Sequence, residues 1–403
     1  MGNIIDINKQ PWTTLYLAYY IAALVFGRWP YWVIKYIPRS NRPRQAWTLT
    51  RCLIVKTFQY LFSCPVDISP GVVSASPTIV PDSQLTDAKS NWVEPIPNEL
   101  FTGEIRRYAE ITGVQPTRVP GYWLLKKGYN WTGPKAKPGE KTLLHLHGGA
   151  FTAGSAQPSD TTANLTRGLL QYSEKLQRTF AVDYRLSAAP PAPPTNPFPA
   201  AVLDGLAGYW YLVHEAGFEP QNIILAGDSA GGNMVVAIVR HLLENPVPTL
   251  PLPGHLLTAS TVLDLAMTHD GPESSAILNA PTDIFDIPPP GVVFALDSVE
   301  AYLGPLPFEE AKTNRYISPV SRFVKPGPEG LFKGFPNTFV VAGGAERLED
   351  DSKEFIAGLK RDGSNVIHEI PPDAVHDLMV WTWHNPERIE VLQKLARWID
   401  DMP

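Results

Sequence analysis

The chain has 403 residues, a net charge of −6 and 18% charged residues, below the roughly 25% usual for soluble domains. Its 44% apolar share and 11 Trp exclude a disordered or low-complexity chain, and 40 acidic against 34 basic residues exclude the basic surface that nucleic-acid binding requires. The two cysteines, Cys52 and Cys64, build neither a disulfide scaffold nor a four-ligand zinc site; no metal and no cofactor is expected.

From Trp12 to Phe26 the chain carries no charge, and a second aromatic stretch, Trp29 to Ile34, follows Arg28. A spanning helix needs about 20 apolar residues, and a run of 10 to 14 is more often buried or interfacial. Residues 1–40 therefore read either as a membrane anchor or as a helix packed on the protein as part of a cap. Lys35, Arg39, Arg42, Arg44 and Arg51 give the downstream side a positive bias. An anchor places the protein on a membrane such as the endoplasmic reticulum; without one it is cytoplasmic. Pro- and Ser-rich residues from Pro65 to Pro97 read as an extended connection, so that 41–96 form connection and part of a cap.

From residue 97 onward, apolar runs of strand length alternate with helical patterns. The strands are expected at Thr142–Leu146, Thr179–Val182, Ile223–Ala226, Leu256–Ala259, Thr338–Ala342 and Val366–Ile370. Helices are expected at Pro199–Glu215, Asn233–Asn245, Asp350–Leu359 and Pro386–Ile399. Such alternation predicts a mostly parallel sheet covered on both faces.

Four of the connections carry chemistry. After the first strand come His147-Gly148-Gly149-Ala150, where adjacent glycines let backbone N–H groups turn toward one point. After the third comes Gly227-Asp228-Ser229-Ala230-Gly231, a G-x-S-x-G between strand and helix that exposes a serine hydroxyl at a helix N-terminus. The N–H groups of Gly148, Gly149 and Ala230 are thus candidates to hold the oxyanion of a tetrahedral intermediate. Serine is a weak nucleophile without a base, so a carboxylate and a histidine must follow. After the last two strands lie Glu346 to Asp351 and, on its own loop, His376, the best placed of nine histidines. His145 and His147 form an H-x-H pair without a third ligand, so a structural role is expected for His147.

These motifs, with Asp183-Tyr184-Arg185-Leu186 and Asn196-Pro197-Phe198-Pro199-Ala200, resemble the hormone-sensitive-lipase-like branch of the α/β-hydrolases, over roughly residues 97–402. The resemblance implies an α/β-hydrolase fold with a helical cap, Ser229 as nucleophile and His376 as general base. It also implies bracing roles for Asp183 and Arg185. The family's D-x-L-x-D reads Glu346-Arg347-Leu348-Glu349-Asp350 here, making Glu346 the acid, with Asp350 the alternative or else a helix-opening carboxylate. A second departure is the inserted Ser187 to Thr195. The cap insertion is expected near 267–303, with aromatics Phe285, Phe294 and Tyr302 suited to a lipophilic ester. The implied function is a serine carboxylesterase or deacetylase acting on an acetylated sterol or secondary metabolite; the other reading is a non-hydrolytic dehydration, condensation or cyclisation.

Overall fold

A computed structural model describes residues 9–64, 78–190, 192–285 and 296–403. Residues 65–77 of the expected connection and the middle of the expected cap, with Pro288-Pro289-Pro290 and Phe294, lie outside the described residues, and the rest of that connection holds a strand at Ala88–Val93.

The chain opens with helix α1 (Trp12–Ala22), which runs through a π-helical turn (Ala23–Arg28) into α2 (Trp29–Tyr36) and is followed by α3 (Leu49–Phe62). Thr48 caps α3 by accepting the Arg51 N–H. The sheet begins with β1 (Ala88–Val93), then α4 (Gly103–Thr112), β2 (Val119–Leu125), β3 (Thr142–Leu146), α5 (Ala163–Tyr172), β4 (Arg178–Val182) and α6 (Ala200–Trp210). It continues through β5 (Ile223–Asp228), α7 (Ala230–Glu244), β6 (His255–Ala259), three short helices α8 (Ser275–Leu278), α9 (Leu296–Leu303) and α10 (Glu309–Thr313), β7 (Asn337–Val341), α11 (Glu349–Arg361), β8 (Val366–Glu369) and α12 (Glu387–Asp401).

Among the described residues the sheet has eight strands, ordered β1-β2-β4-β3-β5-β6-β7-β8. β2 runs antiparallel to both β1 and β4, and the pairs from β4 to β8 are parallel. This is the α/β-hydrolase fold. The strand runs Leu143–Leu146 and Ile223–Ala226 are buried on both faces, between α6 and α7 on one side and α5 and α12 on the other. That double burial is why they read as unbroken apolar runs.

A third cluster ties the N-terminal helices to the catalytic edge. Tyr20, Leu24, Trp32 and Tyr36 pack with Trp47, Cys52 and Val55 against Ile284, Ala345 and Val375. Trp47 Nε1 donates to the Asp373 carbonyl at 2.8 Å, and Arg44 reaches the Asn279 side chain and the Gly344 carbonyl at 2.7 and 2.8 Å. Gln59 donates to the Asp283 carbonyl at 2.6 Å. Among the described residues, no helix is long and apolar enough to cross a membrane.

Two braces fix the loops that follow β4. The Asp183 carboxylate accepts the Ser155 hydroxyl and the Ala156 N–H, and Arg185 forms a two-pronged pair with Asp204 of α6 at 2.9 Å. A fork of this kind fixes orientation as well as distance.

Candidate active site

Ser229 joins β5 to α7 with φ 50° and ψ −116°, a backbone state that costs a non-glycine residue about 1–3 kcal/mol. Its neighbours explain the local sequence. A Cβ on Gly231 would collide with the Leu146 carbonyl, and one on Gly227 with the backbone of Gly231. The turn is pinned by the Ser229 N–H, which donates to the Ala259 carbonyl at 2.8 Å.

The structure brings the two other expected residues to this serine. His376, on the loop after β8, sets Nε2 at 3.1 Å from Ser229 Oγ. Glu346, on the loop after β7, sets Oε2 at 3.7 Å from His376 Nδ1, an ion-pair distance longer than a hydrogen bond. That oxygen accepts the Ser260 hydroxyl at 2.6 Å. Asp350 is elsewhere: its Oδ2 accepts the Ser275 N–H at 2.7 Å, in the first turn of α11. It lies in the first turn of α11, as a helix-opening carboxylate would, but its hydrogen bond goes to the first residue of α8 and not to α11.

Glu346 and His376 are both buried, and their protonation is shifted accordingly. Burial pushes the Glu346 carboxyl up to about 8, against the pull of His376 and the Ser260 hydroxyl. Burial alone would lower the His376 ring, but Asp377, Glu346 and Asp283 outweigh it and carry the imidazole up to about 10. The ring is further held by Phe285, which meets it edge-on at 5.1 Å, and by Trp381, whose Nε1 donates to the His376 carbonyl at 2.9 Å.

The loop after β3 differs from expectation in one donor. The Gly148 N–H is spent on Asp228 Oδ2 at 2.9 Å, while the other oxygen of Asp228 lies 2.6 Å from His145 Nε2. Asp228 thus ties the serine turn to the glycine loop and takes Gly148 out of the set of available donors. Gly149 and Ala150 follow at φ 116° and 52°, and Ala150 lines the cavity in front of Ser229. Ala230 is the first residue of α7, where N–H groups lack intrahelical acceptors. His147 stacks on Tyr184 at 4.2 Å, and its Nδ1 lies 2.6 Å from the Gly148 carbonyl. Burial holds that ring below its ordinary value, so it is neutral and shapes the loop.

Above Ser229 and His376 lies a cavity of about 70 Å³, walled by Phe151, Val262, Leu265, Met267, Phe285 and Val299. By the ~10–15 Å³ that one enclosed water occupies, it holds roughly five waters' worth of ligand. Asp283, in its wall, accepts the Ile284 and Arg347 N–H groups and so fastens the start of the cap to the acid loop. Among the described residues no cluster of three or more His, Cys, Asp or Glu is arranged to hold a metal ion.

Asp228 stands within the serine motif but was given no role, and Ser260, Asp283 and Asp377 were not marked. The one available signal was the acidic residue beside each of the nucleophile and the histidine.

Comparison with known proteins agrees with this geometry. A family profile described as the α/β-hydrolase fold matches residues 143–380. An acetyl-hydrolase of Streptomyces hygroscopicus is 30% identical over 259 residues, 64% of this chain and 73% of that protein. Esterase LipU of Mycobacterium tuberculosis is 29% identical over 261 residues, 64% of this chain and 77% of its own. A crystal structure of an esterase from the bacterial hormone-sensitive lipase family superposes with a TM-score of 0.60 at 22% identity, covering 89% of this chain and 99% of that one, a likeness of fold.

Proposed function

Because the chain belongs to the hormone-sensitive-lipase-like branch of the α/β-hydrolase fold family and is a carboxylic ester hydrolase, we propose that it cleaves a lipophilic ester of a short acid, such as an acetylated sterol or secondary metabolite, through an acyl-enzyme on Ser229. The observation that carries this reading is the 3.1 Å approach of Ser229 Oγ to His376 Nε2 on the floor of an apolar cavity. Ser229 Oγ attacks the ester carbonyl carbon as Nε2 takes its proton. The carbonyl oxygen, now negative, is held by the N–H groups of Gly149 and Ala230, with Ala150 in the place expected of Gly148. The imidazolium, oriented by Glu346, gives its proton to the departing alcohol oxygen. Water, losing a proton to the same nitrogen, then attacks the acyl carbon; Ser229 Oγ leaves with that proton and the acid is released.

A cavity of about 70 Å³ favours a short acyl group, since an extra methylene that a pocket cannot house costs about 1–3 kcal/mol. On p-nitrophenyl esters, kcat/KM is expected to fall by about tenfold or more from butyrate to laurate. Laurate turned over as fast as butyrate would reject the short-acyl assignment.

The N-terminal helices support an attachment to a membrane surface. Residues 7–66 carry eight Lys or Arg and no Asp or Glu, in a chain of net charge −6. Leu15, Tyr19, Phe26, Tyr31, Ile34 and Ile37 are all more than half exposed, with Phe26 at 82% and Ile34 at 72%. Apolar side chains beside cations are what an anionic bilayer interface binds. The protein is expected to sediment with phosphatidylserine-containing vesicles, and Phe26→Glu with Ile34→Glu to weaken that binding by about tenfold or more, since each large side chain contributes about 1.5–3 kcal/mol when buried. Neither side chain belongs to the packed cluster, so the fold is preserved. Equal sedimentation of the two proteins would reject the attachment.

A further inference from the structure

His376 has a carboxylate at each nitrogen. Glu346 stands 3.7 Å from Nδ1, and Asp377 Oδ2 stands closer, 3.2 Å from Nε2, the nitrogen that also faces Ser229 Oγ at 3.1 Å. The placement of Asp377 is built in. Its backbone has φ 53°, in the left-handed region, and its N–H donates at 2.9 Å to the same Ser260 hydroxyl that donates to Glu346. Asp377 Oδ1 is buried and has no hydrogen-bond partner. The side chain is 12% exposed, so solvent reaches only part of it, and a carboxylate with one oxygen buried and unpaired is stabilised by a positive charge beside it; the His376 ring lies within reach. The other titratable groups facing this pair are Glu346 and Asp283 on the His376 side, and Asp228 toward Asp377.

A neutral ring that accepts the serine proton presents a lone pair at Nε2. An ionised carboxylate 3.2 Å from that lone pair is repelled; beside an N–H it is attracted. We propose that Asp377 is a positioning residue that holds a proton on His376 Nε2 in the resting enzyme, so that the base is masked at neutral pH and released on the alkaline side. Releasing it requires that the Nε2 proton leave to solvent hydroxide or buffer base before Ser229 Oγ–H can be transferred. Once the serine has been deprotonated, the same carboxylate favours the imidazolium that forms, so masking and support come from one contact. The high value of the His376 ring agrees with this geometry, as Asp377 leads the causes that outweigh burial.

The inference rests on the esterase reading above and is tested on the pH profile of kcat/KM for p-nitrophenyl acetate, corrected for spontaneous hydrolysis. The intact protein is expected to show an acid limb well above the ordinary histidine value. Asp377→Asn is expected to move that limb down by about 1–3 pH units, as loss of an opposite charge at this range does, and to raise activity at pH 7 by about tenfold per unit moved. The alkaline plateau is expected to drop. Asp377→Gly, which suits a positive φ, is expected to give the same shift and carries the test should the asparagine variant not fold. An acid limb that stays in place in both variants, with activity kept or lost, would overturn the inference while leaving the esterase reading intact. An intact protein that cleaves no ester at any pH would overturn that reading and this one with it.

Discussion

Replacing Ser229 by alanine is expected to lower kcat/KM for p-nitrophenyl acetate by about 10⁴–10⁶-fold, the range seen when the nucleophile of such a triad is removed. The effect is large because the serine does what no neighbour can do. Its oxygen forms the covalent bond, and within 3.1 Å of His376 Nε2 it is the hydroxyl placed to surrender its proton. Stability is expected to hold or rise. Alanine keeps the Cβ that the turn already accommodates, the Ser229 N–H still reaches the Ala259 carbonyl, and removing a buried hydroxyl from a strained position favours the folded state. Activity lost together with the cooperative unfolding transition would instead mean that the turn had collapsed. Retention of more than about 1% of activity in folded protein would contradict a nucleophilic role.

Glu346→Gln has the second largest expected effect, a loss of about 10²–10⁴-fold in kcat, with KM changed little. Glutamine keeps the shape and can still accept the Ser260 hydroxyl, but it supplies no charge to balance the imidazolium and does not select the ring tautomer. The 3.7 Å separation from Nδ1 is longer than a hydrogen bond, a kind of contact that tightens in the transition-state complex. Asp350→Asn is the control: its carboxylate holds the Ser275 N–H, so activity is expected to stay within about threefold while stability falls by roughly 1 kcal/mol, the difference between a charged acceptor and the neutral amide oxygen that replaces it. Loss on Asp350→Asn with retention on Glu346→Gln would reverse the two roles.

The parallel part of the sheet was legible because its strands are buried on both faces. Ile223 to Ala226 and Leu256 to Ala259 show this as short apolar runs. β1 and β2 were not legible, for opposite reasons. β1, AKSNWV, is a polar antiparallel edge with little burial, and β2 contains Pro120 and Gly121, which read as a turn. Only the fold explains the glycine, whose Cβ would strike the Phe180 ring. The serine and histidine of the site were legible through local spacing. Asp228 and Asp377 were not, because what matters about them is tertiary. Asp228 takes the N–H of Gly148, 80 residues earlier in the chain, and this moved the expected oxyanion donors along by one residue. Asp377 acts through a positive φ that no sequence pattern displays. The N-terminal segment was read as anchor or cap. The exposed apolar side chains from Leu15 to Ile37 lie within those residues 1–40, whereas Trp47 and Arg44, which hold the backbone of the histidine and acid loops, fall in 41–96, read as connection and part of a cap.

A fluorophosphonate, which captures an activated serine as a stable phosphonyl adduct, tests the central claim most directly. Intact-protein mass and peptide mapping are expected to show one adduct, on Ser229, formed on the intact protein and absent from Ser229→Ala and from urea-unfolded protein. Folded, ester-cleaving protein that takes up no label, or that carries it on a residue other than Ser229, would contradict the account.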